Sequence, residues 1–359
     1  RSSRGLGDVY KRQGKMYLDD GNDGVIIGDS AGQLNTGSSN IIIGKDAGIN
    51  NTAANNIYIG RQAGQNTTSG IGNVFLGYRA GEDVTTASHN TIIGYNAGAN
   101  ATGTKNVVIG SSSYTAATTT GGANIIIGYR AGEALGTNSN SVIIGNEEGV
   151  ANNLGAVVLI GDAAGDANTG TTLHAVGFQA GKQNSGNSCT FFGNQAGRNN
   201  NQGNTTAVGN IAGTNNTGSS STFVGYRAGN SNSGAQATFV GFESGINNTG
   251  SDGTGIGRTA LENNTGNFSV GVGAQSGRNN SGVNATFFGD SAGKDNTGDR
   301  VVLLGAAAGT NNAGDDTVIA GYNVGVNNVG NYCFITGNLS GTYNTGDETI
   351  IMGRSSGYR

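Results

Sequence analysis

The residues that most often carry acid–base or metal chemistry are few and scattered in this chain. His89 and His174 are its only histidines, and they lie in unrelated surroundings. A catalytic dyad or a histidine metal site needs such groups to converge, so we expect neither. Acidic neighbours occur at Glu147-Glu148, Asp315-Asp316 and Asp347-Glu348. Adjacent strand residues point apart, so these pairs do not predict the facing carboxylates of glycoside hydrolysis.

Two further patterns imitate functional motifs. The stretch Gly253-Thr254-Gly255-Ile256-Gly257 is spaced like a dinucleotide-binding loop, but no helix follows that could present its N-terminus to a pyrophosphate. Cys189 and Cys333 occupy the same repeat position nine repeats apart, a separation of roughly 40 Å in a stacked structure, so they cannot pair. We therefore predict that the chain is not an enzyme and has no catalytic, cofactor-binding or metal-binding residues and no cofactor.

The composition favours a repetitive structure over an ordinary globular enzyme. Glycine supplies 68 of 359 residues, proline and tryptophan are absent, and 12% of the chain is charged. Glycine loses much conformational entropy on ordering, so such a chain folds only if repeated contacts offset that cost. With a net charge of −4 and scattered basic residues, we expect no nucleic-acid partner. No apolar stretch approaches the roughly 20 residues of a membrane span, so we expect no membrane insertion.

The sequence divides into a short flank and a long repeat domain. Residues 1–22 precede the repeats, and residues 1–13, RSSRGLGDVYKRQ, resemble a translated sequencing-adapter read-through, so we interpret them as an artefact. Residues 23–359 form the repeat domain. It stops inside a repeat with no cap, so we expect it to be truncated at the C-terminus.

A sixteen-residue period organises the repeat domain. The glycine that closes each apolar triplet, called position 0 of its repeat, occurs at Gly28, Gly44, Gly60, Gly77, Gly94, Gly110, Gly128 and Gly145, and then every sixteen residues to Gly353. That makes twenty-one repeats. β-Branched residues at alternate positions before this glycine indicate a strand. The period predicts an all-β fold, a parallel β-solenoid of about twenty-one sixteen-residue coils.

The strand triplet leads to a prediction of which side chains face inward. Position −1 is apolar in every repeat except at Thr336, and position −3 is Val, Ile or Thr in nearly every repeat. By the two-residue period of strands we expect both positions to form the core, with position −2 outward. Position −2 is nevertheless apolar, as at Ile42 and Phe223. Such an outward stripe needs a cover, which predicts a homotrimer; the alternative is that one flat coil buries both strand faces.

Other positions predict the corners and an internal ladder. Position +3 is Ala or Ser in most repeats, and glycine at +4 is replaced only at Tyr114 and Leu261. These small residues, with a glycine at +9, suit a narrow lumen and sharp reversals. Asparagine occupies position +7 in thirteen successive repeats, from Asn152 to Asn344. We expect these amides to form a hydrogen-bonded ladder.

Several repeats resemble those of known fibre proteins. Asn90-Thr91-Ile92-Ile93-Gly94, Asn106-Val107-Val108-Ile109-Gly110 and Asn140-Ser141-Val142-Ile143-Ile144-Gly145 resemble the Asn-Ser-Val-Ala-Ile-Gly motif of trimeric autotransporter adhesin heads. The longer unit, as at Asn90 to Gly103, is similar to repeats of bacterial and phage tail-fibre-domain proteins. The resemblance implies a left-handed parallel β-roll in a homotrimer that is extracellular, at a cell surface or on a virion.

Three functions are therefore open. We expect a structural rod of a trimeric surface fibre that presents surfaces to a carbohydrate or protein receptor. An ice-binding solenoid is the alternative, because Asn-x-Thr pairs recur at positions +6 and +8, as at Asn215 and Thr217. A polysaccharide-degrading β-helix enzyme is disfavoured, because no repeat grows beyond eighteen residues to carry an acidic cleft. The irregular stretches 111–123 and 253–261 are where we expect any local binding feature.

Overall fold

The computed structural model of the chain describes residues 16–19, 23–115, 120–133, 135–147 and 155–357. The predicted fold is confirmed: the chain is an all-β parallel solenoid with one strand in each coil. The chain consists of two compact units, unit 1 (Arg1–Gln179) and unit 2 (Ala180–Arg359). The handedness of the coil remains a prediction.

The described residues of unit 1 form eleven strands. They are β1 (Met16–Asp19), β2 (Gly24–Ile27), β3 (Ile41–Ile43), β4 (Ile57–Ile59), β5 (Val74–Leu76), β6 (Thr91–Ile93), β7 (Val107–Ile109), β8 (Ile125–Ile127), β9 (Val142–Ile144), β10 (Val158–Ile160) and β11 (Leu173–Val176). Strand β1, which lies in the flank 1–22, pairs antiparallel with β2. From β2 onward each strand pairs in parallel with the next, residue for residue at the repeat spacing, as Ile42 pairs with Tyr58.

Unit 2 repeats this arrangement. Its strands are β12 (Cys189–Phe192), β13 (Thr206–Val208), β14 (Thr222–Val224), β15 (Thr238–Val240), β16 (Thr254–Ile256), β17 (Val270–Val272), β18 (Thr286–Phe288), β19 (Val302–Leu304), β20 (Val318–Tyr322), β21 (Phe334–Asn338) and β22 (Ile350–Arg354). All of these pair in parallel one coil apart, as Phe223 does with Phe239. A constant coil length therefore brings like residues together along the stack.

Each coil closes by repeated left-handed backbone turns outside its strand. In the coil that begins at Gly225, φ is positive at five positions: 134° at Gly225, 53° at Arg227, 62° at Gly229, 56° at Ser231 and 56° at Gln236. The value at position 0 lies in a region that only glycine adopts easily, which explains why glycine never varies there. Positions +2, +6 and +11 hold mostly polar side chains in the left-handed helical region.

Backbone hydrogen bonds join neighbouring coils on every side, not only along the strands. The Gly225 N–H donates to Val208 O of the preceding coil at 2.8 Å, and the Gly229 N–H donates to Ser244 O of the following coil at 2.9 Å. The same alternation continues at Ser231, which donates backward to Thr214 O at 2.8 Å. The turns thus satisfy their backbone groups between coils, as the strands do.

The core corrects our prediction of the strand facing. Position −2 fills the lumen, and in most coils its side chain is completely buried, as at Ile42, Phe223 and Leu303. Positions −1 and −3 face outward instead: Phe288, at −1, is 46% exposed, and Ile125, at −3, is 42% exposed. The prediction that −1 and −3 form the core was wrong, and so was the alternative of two buried faces.

The large −2 side chain needs the small residues of the opposite wall. A Cβ added to Gly229 would overlap the ring of Phe223, and Ala228 lies completely buried beside it. The predicted narrow lumen is therefore correct, but the residue that fills it is −2. Because positions −2 and −1 are apolar and position −3 is aliphatic or threonine in nearly every coil, the two-residue period had no strongly polar face to mark the outside.

Tyr114 and Leu261, the two residues that stand in place of glycine at position +4, lie inside the core. Position −2 is glycine at Gly271, and Leu261 of the preceding coil packs where its Cβ would lie. Tyr114 is also fully buried, and its hydroxyl donates to Gly121 O at 2.8 Å. In the irregular stretches 111–123 and 253–261, Tyr114 and Leu261 thus belong to the core, and residues 116–119 lie outside the described residues.

The corrected facing can be tested in one coil. We expect Phe239→Ala to lower the free energy of unfolding by about 3 kcal/mol, because it empties a buried ring site between Phe223 and Gly255. Val240→Thr, one residue along and facing outward, should change it by less than about 1 kcal/mol. Urea unfolding followed by circular dichroism measures both. A larger effect of Val240→Thr than of Phe239→Ala would instead support the prediction that positions −1 and −3 form the core.

Candidate interaction surface

The outward side of the strands forms a continuous apolar surface in each unit, here called the sheet face and made of positions −3 and −1 of every coil. In unit 1 eighteen of its twenty residues are Val, Ile or Leu, and the exceptions are Thr91 and His174. Parallel pairing aligns them coil above coil, as Ile57 pairs with Val74 and Ile59 with Leu76. Most are partly exposed.

The sheet face of unit 2 has a different chemistry. Position −3 is threonine at Thr190, Thr206, Thr222, Thr238, Thr254 and Thr286. Position −1 carries a larger apolar residue in most of its coils, such as Val208, Val240 or Phe288. Methyl groups and single hydroxyls thus alternate across this face, which remains uncharged.

Charged side chains are absent from both sheet faces among the described residues, although Lys, Arg, Asp and Glu are spread over the other outward positions. Aromatic residues at position +1 border the faces. Tyr78 stacks on Tyr95 with ring centroids 5.2 Å apart in unit 1, and Tyr226 stacks on Phe242 at 5.1 Å in unit 2. In β20 the strand itself extends to this position, at Tyr322, which is exposed.

The size of each sheet face sets it apart from ordinary surface. Some twenty partly exposed, mostly apolar side chains present on the order of 1,000 Å² in each unit, against a few hundred Å² for the apolar patches of typical soluble monomers. A specific protein interface buries about 800 Å² on each partner. The sheet face of one unit is therefore large enough for a stable interface.

The two histidines occupy unlike places. His89 is exposed at a corner, position −5, with φ of 60°. His174 is exposed on the sheet face in β11, where it pairs with Val158 of β10. They belong to different coils and to different sides of the coil. No group of three or more His, Cys, Asp or Glu side chains that could hold a metal exists within the described ranges.

The acidic pairs are held in contacts between coils. Asp316 accepts two hydrogen bonds from Arg300 at 2.6 and 2.7 Å, which lowers the pKa of its carboxyl. Asp315 accepts a hydrogen bond from the backbone N–H of Asp299 at 2.8 Å. Asp347 does the same for Asn331 at 2.8 Å. Position +10 thus forms an outer ladder that the sequence reading missed. Glu147 pairs with Arg130 at 3.2 Å, and Glu148 lies outside the described residues.

The remaining candidate groups are interior. Cys189 and Cys333 are free and buried, in agreement with their repeat spacing. Burial raises the pKa of the Cys189 thiol, and it raises the pKa of Tyr114 to about 12. The glycines of 253–257 lie in and beside strand β16, and no helix follows them in the described chain. No helix among the described residues is long and apolar enough to cross a membrane.

The asparagine ladder at position +7 is confirmed in unit 2. From Asn200 to Asn344 each Nδ2 donates to the Oδ1 of the asparagine sixteen residues earlier, at 2.7 to 2.9 Å, beginning with Asn184. Each amide also donates to the carbonyl of a residue two positions on, as Asn216 does to Gly218 at 2.7 Å. Asn152, the first predicted member, lies outside the described residues.

A second buried ladder occurs in unit 1 at position −4. It runs through Asn40, Asn56, Asn73, Asn90, Asn106 and Asn124. Each Oδ1 accepts the backbone N–H of the equivalent residue in the next coil at 2.8 to 2.9 Å. The amide of Asn56 also donates to Gly70 O at 2.9 Å. The recurrence of asparagine four residues before position 0 was the signal for it in the sequence.

The Asn-x-Thr pairs form a separate outward array in unit 2. Asn215 and Thr217 are both exposed and flank the buried Asn216. Along this side Asn247 donates to Asn263 at 3.1 Å, and Asn263 donates to Asn279 at 3.0 Å. Asn215 and Thr217 thus face outward, and the +6 asparagines from Asn247 to Asn279 are hydrogen-bonded from coil to coil.

No family matches. A comparison with protein-family models and with curated proteins finds no match to this chain. The resemblance to adhesin heads and tail-fibre repeats thus rests on the repeat motif and on the solenoid fold. Any functional assignment has to come from the surfaces themselves.

Proposed function

We propose that this chain is a structural segment of a homotrimeric surface fibre, extracellular on a cell or a virion, in which the sheet faces of three copies pack together. The observation that supports it is the uncharged, mostly apolar sheet face that recurs in every coil. Water would otherwise cover on the order of 1,000 Å² of apolar surface in each unit.

Further copies of the same chain suit this surface better than an unrelated partner. In copies related by a rotation axis parallel to the stack of coils, the same coil of every copy lies at the same level. Like faces then meet coil for coil, and neither brings a charge that the other must neutralise. The resemblance to trimeric fibre repeats favours three copies over two.

The outward positions of the other sides would then present receptor contacts. Positions +5, +6, +8, +10 and +11 stay accessible in such an assembly, and they carry most of the polar variation between coils. A carbohydrate or a protein receptor is the partner we propose for them.

The molecular mass of the protein in solution tests whether three copies assemble. At micromolar concentration we expect light scattering to give three times the 35.8 kDa of one chain. Val224→Glu places a charge on the sheet face and should weaken association at least tenfold, because the carboxylate would be buried unpaired.

Thr217→Glu is the matched control, since Thr217 is exposed in the preceding coil but off the sheet face. It should leave the mass unchanged. A wild-type chain that stays monomeric at micromolar concentration would refute the assembly, and equal effects of the two variants would place the interface elsewhere.

Ice binding is the second candidate, supported by the exposed Asn-x-Thr array of unit 2. The mutual hydrogen bonds of Asn247, Asn263 and Asn279 hold the array in regular spacing. Ala313, Val329 and Asn201 interrupt its threonines. A thermal-hysteresis measurement separates the candidates, because a surface fibre segment predicts no activity.

A further inference from the structure

His174 is the one ionisable side chain on the sheet faces among the described residues. It occupies position −3 of its coil, where the other coils of unit 1 carry Val, Ile or Thr. Strand β11 places it outward and exposed, and it pairs with Val158 of β10. A histidine here interrupts an otherwise aliphatic column.

The surroundings of His174 within unit 1 are apolar. The other residues of β11 are Leu173, Ala175 and Val176, and β10 offers Val158, Leu159 and Ile160, none of them titratable. The nearest charged residue along β10 is Asp162, which follows Gly161 beyond the end of the strand. Neither strand therefore offers a carboxylate beside the imidazole.

From this placement we propose that His174 makes the association of copies sensitive to pH, in a manner that rests on the sheet-face assembly proposed above. In copies related by an axis parallel to the stack, every His174 lies at the same level. The assembled faces therefore cover each imidazole with apolar side chains and with the equivalent surface of another copy.

The direction of the effect follows from the charge. A neutral imidazole can be buried with modest cost, whereas an imidazolium loses its hydration and meets other imidazolium ions at the same level. Histidine gains its charge between about pH 8 and pH 5. Association is thus strongest at the upper end of this range and weakens as the pH falls.

The test compares three forms of the full chain by analytical ultracentrifugation at pH 8, 7, 6 and 5.5. For the wild type we expect the dissociation constant of the assembly to rise at least tenfold from pH 8 to pH 5.5. His174→Val introduces the residue that Val158 already supplies one coil earlier, and its dissociation constant should stay constant over the same range. Circular dichroism at each pH confirms that the solenoid remains folded.

His89→Asn is the matched control. It removes the other histidine from an exposed corner, and asparagine tolerates the positive φ found there. This variant should follow the wild type. Acid dissociation that persists in His174→Val, or a wild-type assembly that is equally tight at pH 8 and pH 5.5, would overturn the role of His174 alone. A wild type that is monomeric at pH 8 would overturn the assembly and this role together.

Discussion

Gly241→Ala should prevent normal folding of unit 2 or lower its free energy of unfolding by more than about 4 kcal/mol. Gly241 has φ of 138°, and a Cβ there would lie 2.7 Å from the carbonyl carbon of Gly257 and closer still to its oxygen. The colliding atoms are backbone, so no side chain can move aside. Left-handed strain and the clash add to each other.

Gly253→Ala is the control for this variant. Gly253 is also buried, but its added Cβ would meet only ordinary contacts, the closest to Phe239 at 3.6 Å. The equivalent residue of the preceding coil is Ala237. We expect a change within about 1 kcal/mol, measured by thermal unfolding. If Gly241→Ala is tolerated equally well, the coils do not approach as closely as described.

Asn264→Ala should lower the free energy of unfolding by about 4 kcal/mol. The Asn264 amide donates to Asn248 Oδ1 and to Gly266 O, each at 2.8 Å, and it accepts from Asn280 Nδ2 at 2.8 Å. Its removal deletes three buried hydrogen bonds, each worth about 0.5–1.5 kcal/mol, and leaves Asn248 Oδ1 unsatisfied at a further cost of about 1–3 kcal/mol. Gly266 O keeps the Ser269 hydroxyl at 3.1 Å, and Asn280 Nδ2 keeps Gly282 O at 2.8 Å. The ladder is interrupted on both sides at once.

Thr265→Ala isolates the contribution of burial. Thr265 is the next residue and is exposed, and alanine already occupies the same repeat position at Ala313. Urea unfolding should show a change below about 0.5 kcal/mol. A similar cost for Asn264→Ala would mean that the ladder contributes little to stability.

The sequence was sufficient to predict the solenoid, because a fixed period constrains every coil in the same way. The spacing of position 0 and the β-branched triplets predicted one strand per coil, and the recurrence of asparagine at +7 predicted the ladder around Asn216. These inferences depend on repetition alone, which is visible without any knowledge of packing.

The facing of the triplet could not be derived in the same way. A strand sequence shows which side chains face inward by the contrast between polar and apolar residues at alternate positions. In Thr222-Phe223-Val224 that contrast is weak. The missing information was volume: the ring of Phe223 fits only over Gly229 and Ala228, a contact between opposite walls of the lumen. The exposed apolar face was consequently predicted on the wrong column, since positions −3 and −1 form it instead of position −2.

The unit 1 ladder was missed for a related reason. The first coils have asparagine at both positions, with Asn40 and Asn56 at −4 and Asn35 and Asn51 at +7. In the sequence of these coils the column at +7 therefore conceals the ladder at −4. Further on, Val84 and Leu135 replace the +7 amide, and the −4 asparagines remain. Only the buried hydrogen bonds show whether the asparagine at −4 or the one at +7 links a coil to its neighbour.

The change from one ladder to the other limits how such a chain can lengthen during evolution. Duplication of a whole coil within unit 2 inserts another asparagine between two equivalent ones and leaves every interior amide with a partner. A coil copied from the 73–124 region into unit 2 would instead bring Asn to −4 opposite Ala237 or Ala285, and an apolar residue to +7. Growth by tandem duplication is therefore neutral among coils of one kind and costly across kinds.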